Sequence, residues 1–270
     1  MKLLTCLIIT LALASPLLAQ TPKPIPTAAE AQAKQELNEA ARAYREGRFT
    51  EAQAHSEKAL ALDPGNRTAP MFVARTIHAQ YKPGDSTPEN DAIARQAIMA
   101  YQRILERNPN DDEAYKAVAY LYGAIKEEEL LRDWILQRAG NVSVADDKRA
   151  EAYVVLASKD WDCSFRITEA NKVVIGEGIK QYVRFQMPKD RMEFERANEC
   201  ANRALMMANM AIVLEAENES AWSYKTNTLL ELEKLAEMSG EAEHKRELHQ
   251  QYEEALKKVT EISERRHSNP

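Results

Sequence analysis

The residues best suited to chemistry are three cysteines and five histidines in a chain of 270 residues. Cys163 ends the segment DWDC, where two carboxylates stand beside a thiol. A thiol becomes a working nucleophile when a base such as histidine activates it, and the sequence places no histidine near this segment. His244 and His249 are five residues apart, which sets them about 140° apart around a helix. These patterns favour neither a nucleophilic thiol nor a metal site.

Other signatures of catalysis and of nucleic-acid binding are missing from the sequence. It contains no glycine-rich phosphate loop, no nucleophile elbow and no HExxH or CxxC motif. The formal net charge is −6, and the charged residues are interspersed rather than clustered. Because phosphate binding depends on clustered Lys and Arg, we expect no nucleic-acid partner. We also expect no enzyme activity, no cofactor and no metal.

The amino terminus has the features of an export signal. Lys2 precedes the apolar run LLTCLIITLAL, which is too short to span a bilayer and is followed by small residues. Cleavage is expected after Ala19 or after Ala14, and the first is preferred because the Pro-spaced leader QTPKPIP follows it. Cys6 does not indicate a lipid anchor, since LLTC has threonine before the cysteine and almost no charged region. The predicted segments are a signal peptide over residues 1–19 and a Pro-rich leader over residues 20–28.

The composition of the remaining chain favours an all-α protein. The amino-terminal signal predicts an exported chain, either periplasmic or secreted, and no later apolar run is long enough to predict a membrane span. Gly is rare, and Ala, Glu, Lys, Leu and Arg dominate. The clearest unit is YREGRFTEAQAHSEKALALDPGN, where one helix ends near Gly47, a second begins near Thr50, and Pro64 stops it. Small residues in the second helix allow two antiparallel helices to approach closely. This unit resembles the tetratricopeptide repeat, and the matching positions are Gly47, Phe49, Ala52, Ala59, Leu60 and Pro64.

The pattern recurs along the chain with decreasing clarity. Pro109 takes the place of Pro64 after 45 residues, against about 34 in the family, and the excess lies in the loop KPGDSTPEN. The resemblance, to an exported bacterial member of the family, implies a right-handed superhelical solenoid over residues 29–265. The tail at 266–270 lacks apolar periodicity and is expected to fray. The five predicted helix pairs cover residues 33–66, 67–111, 112–148, 149–218 and 219–263.

Two helix starts are marked by capping residues. Thr27 opens TAAE, which fits a capping box in which threonine and glutamate bond each other's backbone. Thr87 is placed to cap the helix after the inserted loop, with Pro88 in its first turn.

One segment departs from the helical pattern. In NKVVIGEGIKQYVRFQMPKD, residues 171–190, β-branched and aromatic residues cluster around Gly-Glu-Gly, which is typical of a β-hairpin. A three-residue loop over 176–178 predicts one shared apolar face. That face would consist of Val173, Ile175, Ile179, Val183 and Phe185. We predict a hairpin insertion over residues 171–187 that packs on the solenoid, with an edge open to a partner strand.

Cys163 and Cys200 flank this hairpin and remain after the signal is removed. In an oxidising compartment an even pair of cysteines is more often a bridge than two free thiols. Cys163 is expected to end the first helix of the fourth pair, and Cys200 to lie early in the second. Because partner helices run antiparallel, a disulfide that clamps the insertion is predicted. Two buried free thiols are the alternative.

The resemblance also implies a binding surface, because the first helix of each tetratricopeptide pair lines a groove for a peptide or helix. The positions carried over are Tyr44, Arg45, Arg75, His78, Lys116, Tyr120, Ser158 and Trp161. This aromatic and cationic mixture suits an extended peptide or a helix with some acidic character. The alternative is that Tyr44, Tyr120 and Trp161 are half-buried packing residues.

The Lys/Asn clamp of chaperone-binding members is not reproduced, since other residues stand where Asn is needed. Those residues are Ala41, Arg75, Tyr120 and Ser158. Recognition of a carboxyl terminus in that manner is therefore not expected. The resemblance implies a non-catalytic interaction scaffold or adaptor of the periplasm or cell envelope, which binds a protein or peptide segment. A structural envelope spacer and an accessory subunit of an export or outer-membrane assembly complex are the alternatives.

Overall fold

The structure, a computed structural model, describes residues 26–268. The predicted signal peptide, both cleavage sites, Cys6 and most of the leader lie outside the described residues. The fold is 77% helical and contains ten helices and one two-stranded sheet within that range. The predicted all-α fold class, with about five helix pairs and one small hairpin, is confirmed.

The helices follow one another as five antiparallel pairs, and the main contacts join each helix to the next along the chain. The hairpin interrupts the fourth pair. The helices are α1 (Ala28–Arg45), α2 (Phe49–Leu62), α3 (Ala69–His78), α4 (Pro88–Arg107), α5 (Asp112–Ala124), α6 (Glu128–Gly140), α7 (Asp146–Ala170), α8 (Arg191–Leu214), α9 (Glu219–Ser239) and α10 (Ala242–Ser268). The strands are β1 (Lys172–Ile175) and β2 (Tyr182–Phe185).

Alanine dominates the buried surface where helices cross. More than half of the buried apolar residues are alanines, and most of these are fully inaccessible. Ala33, Ala59 and Ala69 form the cluster shared by α1, α2 and α3. A methyl side chain lets two helix backbones approach closely, so each pair stacks tightly on its neighbour. The core is consequently a chain of local clusters rather than one central mass, as in other solenoids.

The predicted helix caps are confirmed. The Thr27 hydroxyl accepts the Glu30 N–H at 3.2 Å, and the Glu30 carboxylate accepts the Thr27 N–H at 2.6 Å. The Thr87 hydroxyl accepts the Asn90 N–H at 3.4 Å, with Pro88 at the first helical position. Gly47 has a φ of +76° in the turn between α1 and α2, a conformation that glycine adopts without the steric cost of a Cβ.

The carboxyl-terminal helix extends further than predicted. Residues 266–268, expected to fray, belong to α10. Charged contacts account for this, since the Arg266 guanidinium bonds Glu219 at 2.8 Å and the Arg265 guanidinium bonds Glu217 at 2.6 Å. The prediction from apolar periodicity alone was wrong here, because the last turns are held by ion pairs to Glu217, just before α9, and to Glu219, its first residue.

The hairpin exists, but its predicted loop and shared face are wrong. Six residues, 176–181, connect the strands and include a 3₁₀ turn over Gly178–Lys180. Val173 pairs with Arg184, and Val174 pairs with Val183. Directly paired residues point to the same face, and successive residues along a strand point to opposite faces. Val183 therefore shares a face with its partner Val174, and Val173 lies on the opposite face. The side chain of Ile179 lies outside the described residues.

A steric constraint at Gly176 explains the longer loop. Its φ is +93°, and a Cβ at this position would collide with the Lys180 carbonyl oxygen. The chain therefore folds back over itself after β1, and strand pairing ends at Ile175 and Tyr182. Glycine is required where the backbone comes this close to itself.

The base of the hairpin is attached to α9 by Phe185. Its backbone N–H donates to the Glu237 carboxylate at 3.3 Å, and its ring lies 4.8 Å from the Lys234 ammonium. Burial opposes ionisation of Glu237, but hydrogen bonds from Lys245 and from the Phe185 N–H outweigh it and lower the pKa of the carboxyl. This attachment therefore contributes to stability at neutral pH and weakens as the pH falls through that lowered pKa.

Cys163 and Cys200 form a disulfide that joins α7 to α8, with their Cα atoms 5.9 Å apart. Cys163 was predicted to end its helix, but α7 continues to Ala170. The last turns of α7 pack on α9, where the buried Thr168 hydroxyl donates to Glu231 at 2.5 Å. The disulfide thus lies within the fourth helix pair, and the hairpin projects beyond it.

No helix in residues 26–268 is long and apolar enough to cross a membrane. The apolar residues of these helices are instead distributed over the faces that pack against neighbouring helices.

We predict that replacing both cysteines, C163S/C200S, lowers the free energy of unfolding by up to about 4 kcal/mol, the loop-closure value for a bridge of this span. Urea unfolding followed by circular dichroism measures the change. As a control, wild-type protein reduced before unfolding should match the variant. If both thiols of unreduced, unfolded wild type react with an alkylating reagent, the bridge is absent and the prediction is wrong.

Candidate binding face

The first helices of the five pairs, α1, α3, α5, α7 and α9, present a surface that we call the first-helix face. Side chains connect α3 to α5 and α5 to α7 across it. Arg75 on α3 pairs with Glu113 on α5, and Lys116 on α5 lies 3.8 Å from Glu151 on α7. These contacts bring residues from separate repeats onto one continuous surface.

An aromatic cluster occupies the part of the face between α3 and α5. The rings of His78 and Tyr120 are 5.7 Å apart, and Tyr120 is 51% exposed. On its other side His78 meets the buried Tyr101, with the imidazole Nδ1 3.3 Å from the phenol oxygen. Tyr120 is therefore an exposed ring that packs on His78, which in turn contacts the buried Tyr101. This arrangement is suited to contacting a partner.

Burial sets the charge at this cluster. It lowers the pKa of His78 below the ordinary value of 6.5 and raises the pKa of Tyr101 to about 12. Both groups are therefore neutral at pH 7. The centre of the face therefore consists of uncharged rings. The charged side chains around it are those of the two ion pairs, Arg75 with Glu113 and Lys116 with Glu151.

The two ion pairs on the face are exposed. Arg75 and Glu113 have side chains 46% and 47% accessible, and Lys116 and Glu151 are still more open. Such pairs contribute roughly 0–1 kcal/mol to stability. The fold does not depend on them, so a partner carboxylate can replace Glu113 or Glu151 at little cost.

The remaining predicted residues divide into two groups. Tyr44 is 38% exposed and meets Phe49 edge to face at 5.3 Å, while Arg45 is an exposed residue at the end of α1. Ser158 is half-buried. Trp161 stacks on Phe165 at 4.9 Å and touches Tyr224 of α9 at 6.2 Å, so the packing interpretation describes this tryptophan.

The sequence analysis did not identify the partners of the predicted residues. Glu113 and Glu151 complete the face, and the buried Tyr101 packs under it from α4. Each belongs to a different helix from the residue it contacts. The only signal for Glu113 was its position three residues before Lys116, which places both on one side of α5.

The segment DWDC has a structural role. Asp160 is 3% exposed and accepts hydrogen bonds from Arg132 on α6 at 2.8 Å and from Arg203 on α8 at 3.2 Å. Cys163 is in the disulfide. Within residues 26–268, no three His, Cys, Asp or Glu side chains are grouped as metal ligands. The carboxylate thus joins three helices, and its thiol neighbour is oxidised.

The features of the tetratricopeptide pattern are found at their structural positions. Ala52 and Ala59 are fully buried on α2, Gly47 forms the turn, and Pro64 follows the helix end. The chain has the tetratricopeptide-repeat fold. No family model matches the sequence, and no curated protein matches it.

Solved structures align with the chain at low similarity. MamA protein is 12% identical, with a TM-score of 0.43, over 88% of this chain and 95% of that one. A tetratricopeptide repeat protein from Parabacteroides merdae ATCC 43184 is 11% identical, with a TM-score of 0.35, over 88% and 93%. The TPR2AB domain of yeast Sti1, in complex with pHSP90, is 17% identical, with a TM-score of 0.31, over 84% and 99%. At these scores nothing about function follows from the similarity.

We predict that the imidazole of His78 titrates with a midpoint below 6.5, because burial disfavours its charged form. In the unfolded chain the imidazole has its ordinary pKa, so it binds a proton at a higher pH than in the folded protein. The free energy of unfolding therefore begins to fall as the pH drops below about 6.5. Proton–carbon NMR correlation spectra of the ring measure the midpoint. The variant Y120A, which uncovers the ring, should raise it. A wild-type midpoint at or above 6.5 would contradict the burial of His78.

Proposed function

We propose that this protein is a non-catalytic adaptor that works outside the cytoplasm and holds a segment of a protein partner on its first-helix face. The observation that carries the proposal is the row of exposed aromatic and paired charged side chains on α1, α3 and α5. Tyr44 and Tyr120 are both exposed large rings in this row. Aromatic side chains exposed on rigid elements are typical anchors of protein interfaces.

The chemistry of the face favours a partner segment with both apolar and acidic groups. Tyr120 and the neutral His78 offer ring surfaces to an apolar side chain. Arg75 and Lys116 can exchange their weak exposed pairs for carboxylates of the partner. A peptide or helix that combines these groups would satisfy both kinds of contact.

The extracellular or periplasmic location is supported by the sequence of the amino terminus. The short positive start, the apolar run and the small residues at Ala14 and Ala19 are those of an export signal. The disulfide between Cys163 and Cys200 agrees with an oxidising compartment.

The partner can be captured by placing a photo-crosslinking amino acid at position 120 in cells that export the protein. We expect one defined crosslinked species from this position, because Tyr120 lies on the proposed contact surface. Position 99 is the matched control, since Met99 is 49% exposed but lies on α4, a second helix. Mass spectrometry identifies the crosslinked chain.

Substitution of the face gives the complementary result. In the variant R75Q/K116Q/Y120S, with the crosslinker moved to position 44, the yield should fall at least about tenfold, as expected for the loss of an interface anchor. Its circular dichroism spectrum should be unchanged, because all three side chains are exposed. Equal crosslinking from positions 120 and 99, or unchanged yield in the variant, would contradict the proposed face. No crosslink from either position would favour a structural spacer.

A further inference from the structure

Exposed large apolar side chains are concentrated on the hairpin and the turn that follows it. Val174 is 61% exposed, Tyr182 57% and Val183 47%. Met187 and Met192, just after β2, are 43% and 74% exposed. About a third of the exposed large apolar residues in the described part of the chain lie in these 19 positions. Such a concentration indicates an interaction surface.

The geometry of the hairpin presents this surface on a supported element. Val174 and Val183 are directly paired across the two strands, so they stand side by side on one face. The base of the hairpin is held by the Gln186 N–H to the Asn171 carbonyl at 3.0 Å and by Phe185 against α9. The disulfide between α7 and α8 lies below it. The exposed valines therefore lie on a hairpin whose base is fixed to the helices.

Basic residues surround the apolar ones. Residues 172–191 contain five Lys or Arg and two acidic residues, a net charge of +3, whereas the whole chain carries −6. Lys172 bonds Glu169 at 3.2 Å, and Arg191 bonds Glu195 at 3.0 Å. Lys180 and Lys189 are also exposed. Arg184 is exposed too, but its charge acts on Glu237 at the base of the hairpin.

We propose that the face of the hairpin that carries Val174 and Val183, together with Met187, Met192, Lys180 and Lys189, docks on a membrane surface that carries anionic lipids. We call this surface the hairpin patch. Tyr182 and Arg184 lie on the opposite face of the two strands. Exposed apolar side chains can enter the headgroup region, and the lysines beside them are attracted to the negative lipids. The acidic remainder of the chain does not prevent this, because charges beyond about 8 Å are screened at physiological salt.

A lipid surface fits the patch better than an added β-strand does. The strands are four residues long, which offers few backbone hydrogen bonds to a partner strand. The outward N–H of Phe185 on β2 is already bonded to Glu237. The exposed valines project from the face of the sheet rather than from its edge. This inference is independent of the first-helix face, so it can fail while the proposed adaptor function stands.

Flotation with vesicles tests the proposal. Protein recovered after export is mixed with vesicles of phosphatidylcholine alone or with added phosphatidylglycerol. We expect binding to the anionic vesicles only, and a decrease at higher salt. The variant K180E/K189E changes the charge by four units and should bind several hundredfold less, at about fivefold for each unit of charge. The variant V174T/V183T, which keeps the shape and strand preference of valine, should bind about fivefold less.

The matched control is M206Q/M210Q, which removes two exposed apolar side chains from α8 and should bind as the wild type does. All variants are checked for helicity and for the intact disulfide, so a folding defect is recognised. The proposal is wrong if wild-type protein does not float with anionic vesicles, or if both hairpin variants bind equally well. If the wild type instead forms a dimer that V174T/V183T loses, the patch is a protein interface and the lipid proposal is also wrong.

Discussion

The close approach of helix backbones at alanine-lined crossings is the constraint on which the rest of this structure depends. Ala59, Ala94 and Ala208 each lie fully buried in a different cluster between neighbouring helices. A methyl group contributes little apolar area by itself, so stability comes from many tight interfaces in series. At such positions a larger side chain forces the helices apart, which costs typically 1–3 kcal/mol. Repeat spacing is therefore determined by the smallest side chains in the core.

The spacing set by these crossings determines what each surface can do. The first helices are held near enough for Arg75 to reach Glu113 and for His78 to contact Tyr120, and the first-helix face is a consequence. In the fourth pair the same close packing surrounds polar groups. There the buried carboxylate of Asp160 is satisfied by two guanidinium groups, and a disulfide adds a covalent link. The hairpin is tolerated as an insertion because these bonds hold the helices that carry it.

The parts of the fold that depend on local sequence were predictable, and those that depend on distant contacts were not. The capping box at Thr27 and the turn at Gly47 follow from neighbouring residues alone. The strand register could not be predicted in this way, because it depends on the close approach of the backbone at Gly176 to the Lys180 carbonyl. The length of α10 could not be predicted either, since Arg266 is held by a glutamate 47 residues away. For the same reason the face residues were predicted from the family pattern, whereas their partners Glu113 and Glu151 were not.

The measurement that tests this account most directly is urea unfolding of A94L beside A92L. Both substitutions add the same side chain to α4, but Ala94 is fully buried against α3 and α5, whereas Ala92 is exposed. The account predicts that A94L lowers the free energy of unfolding by about 1–3 kcal/mol. A92L should leave it within about 0.5 kcal/mol of the wild type. If A94L is as stable as A92L, the helices do not depend on close alanine contact, and the central claim is contradicted.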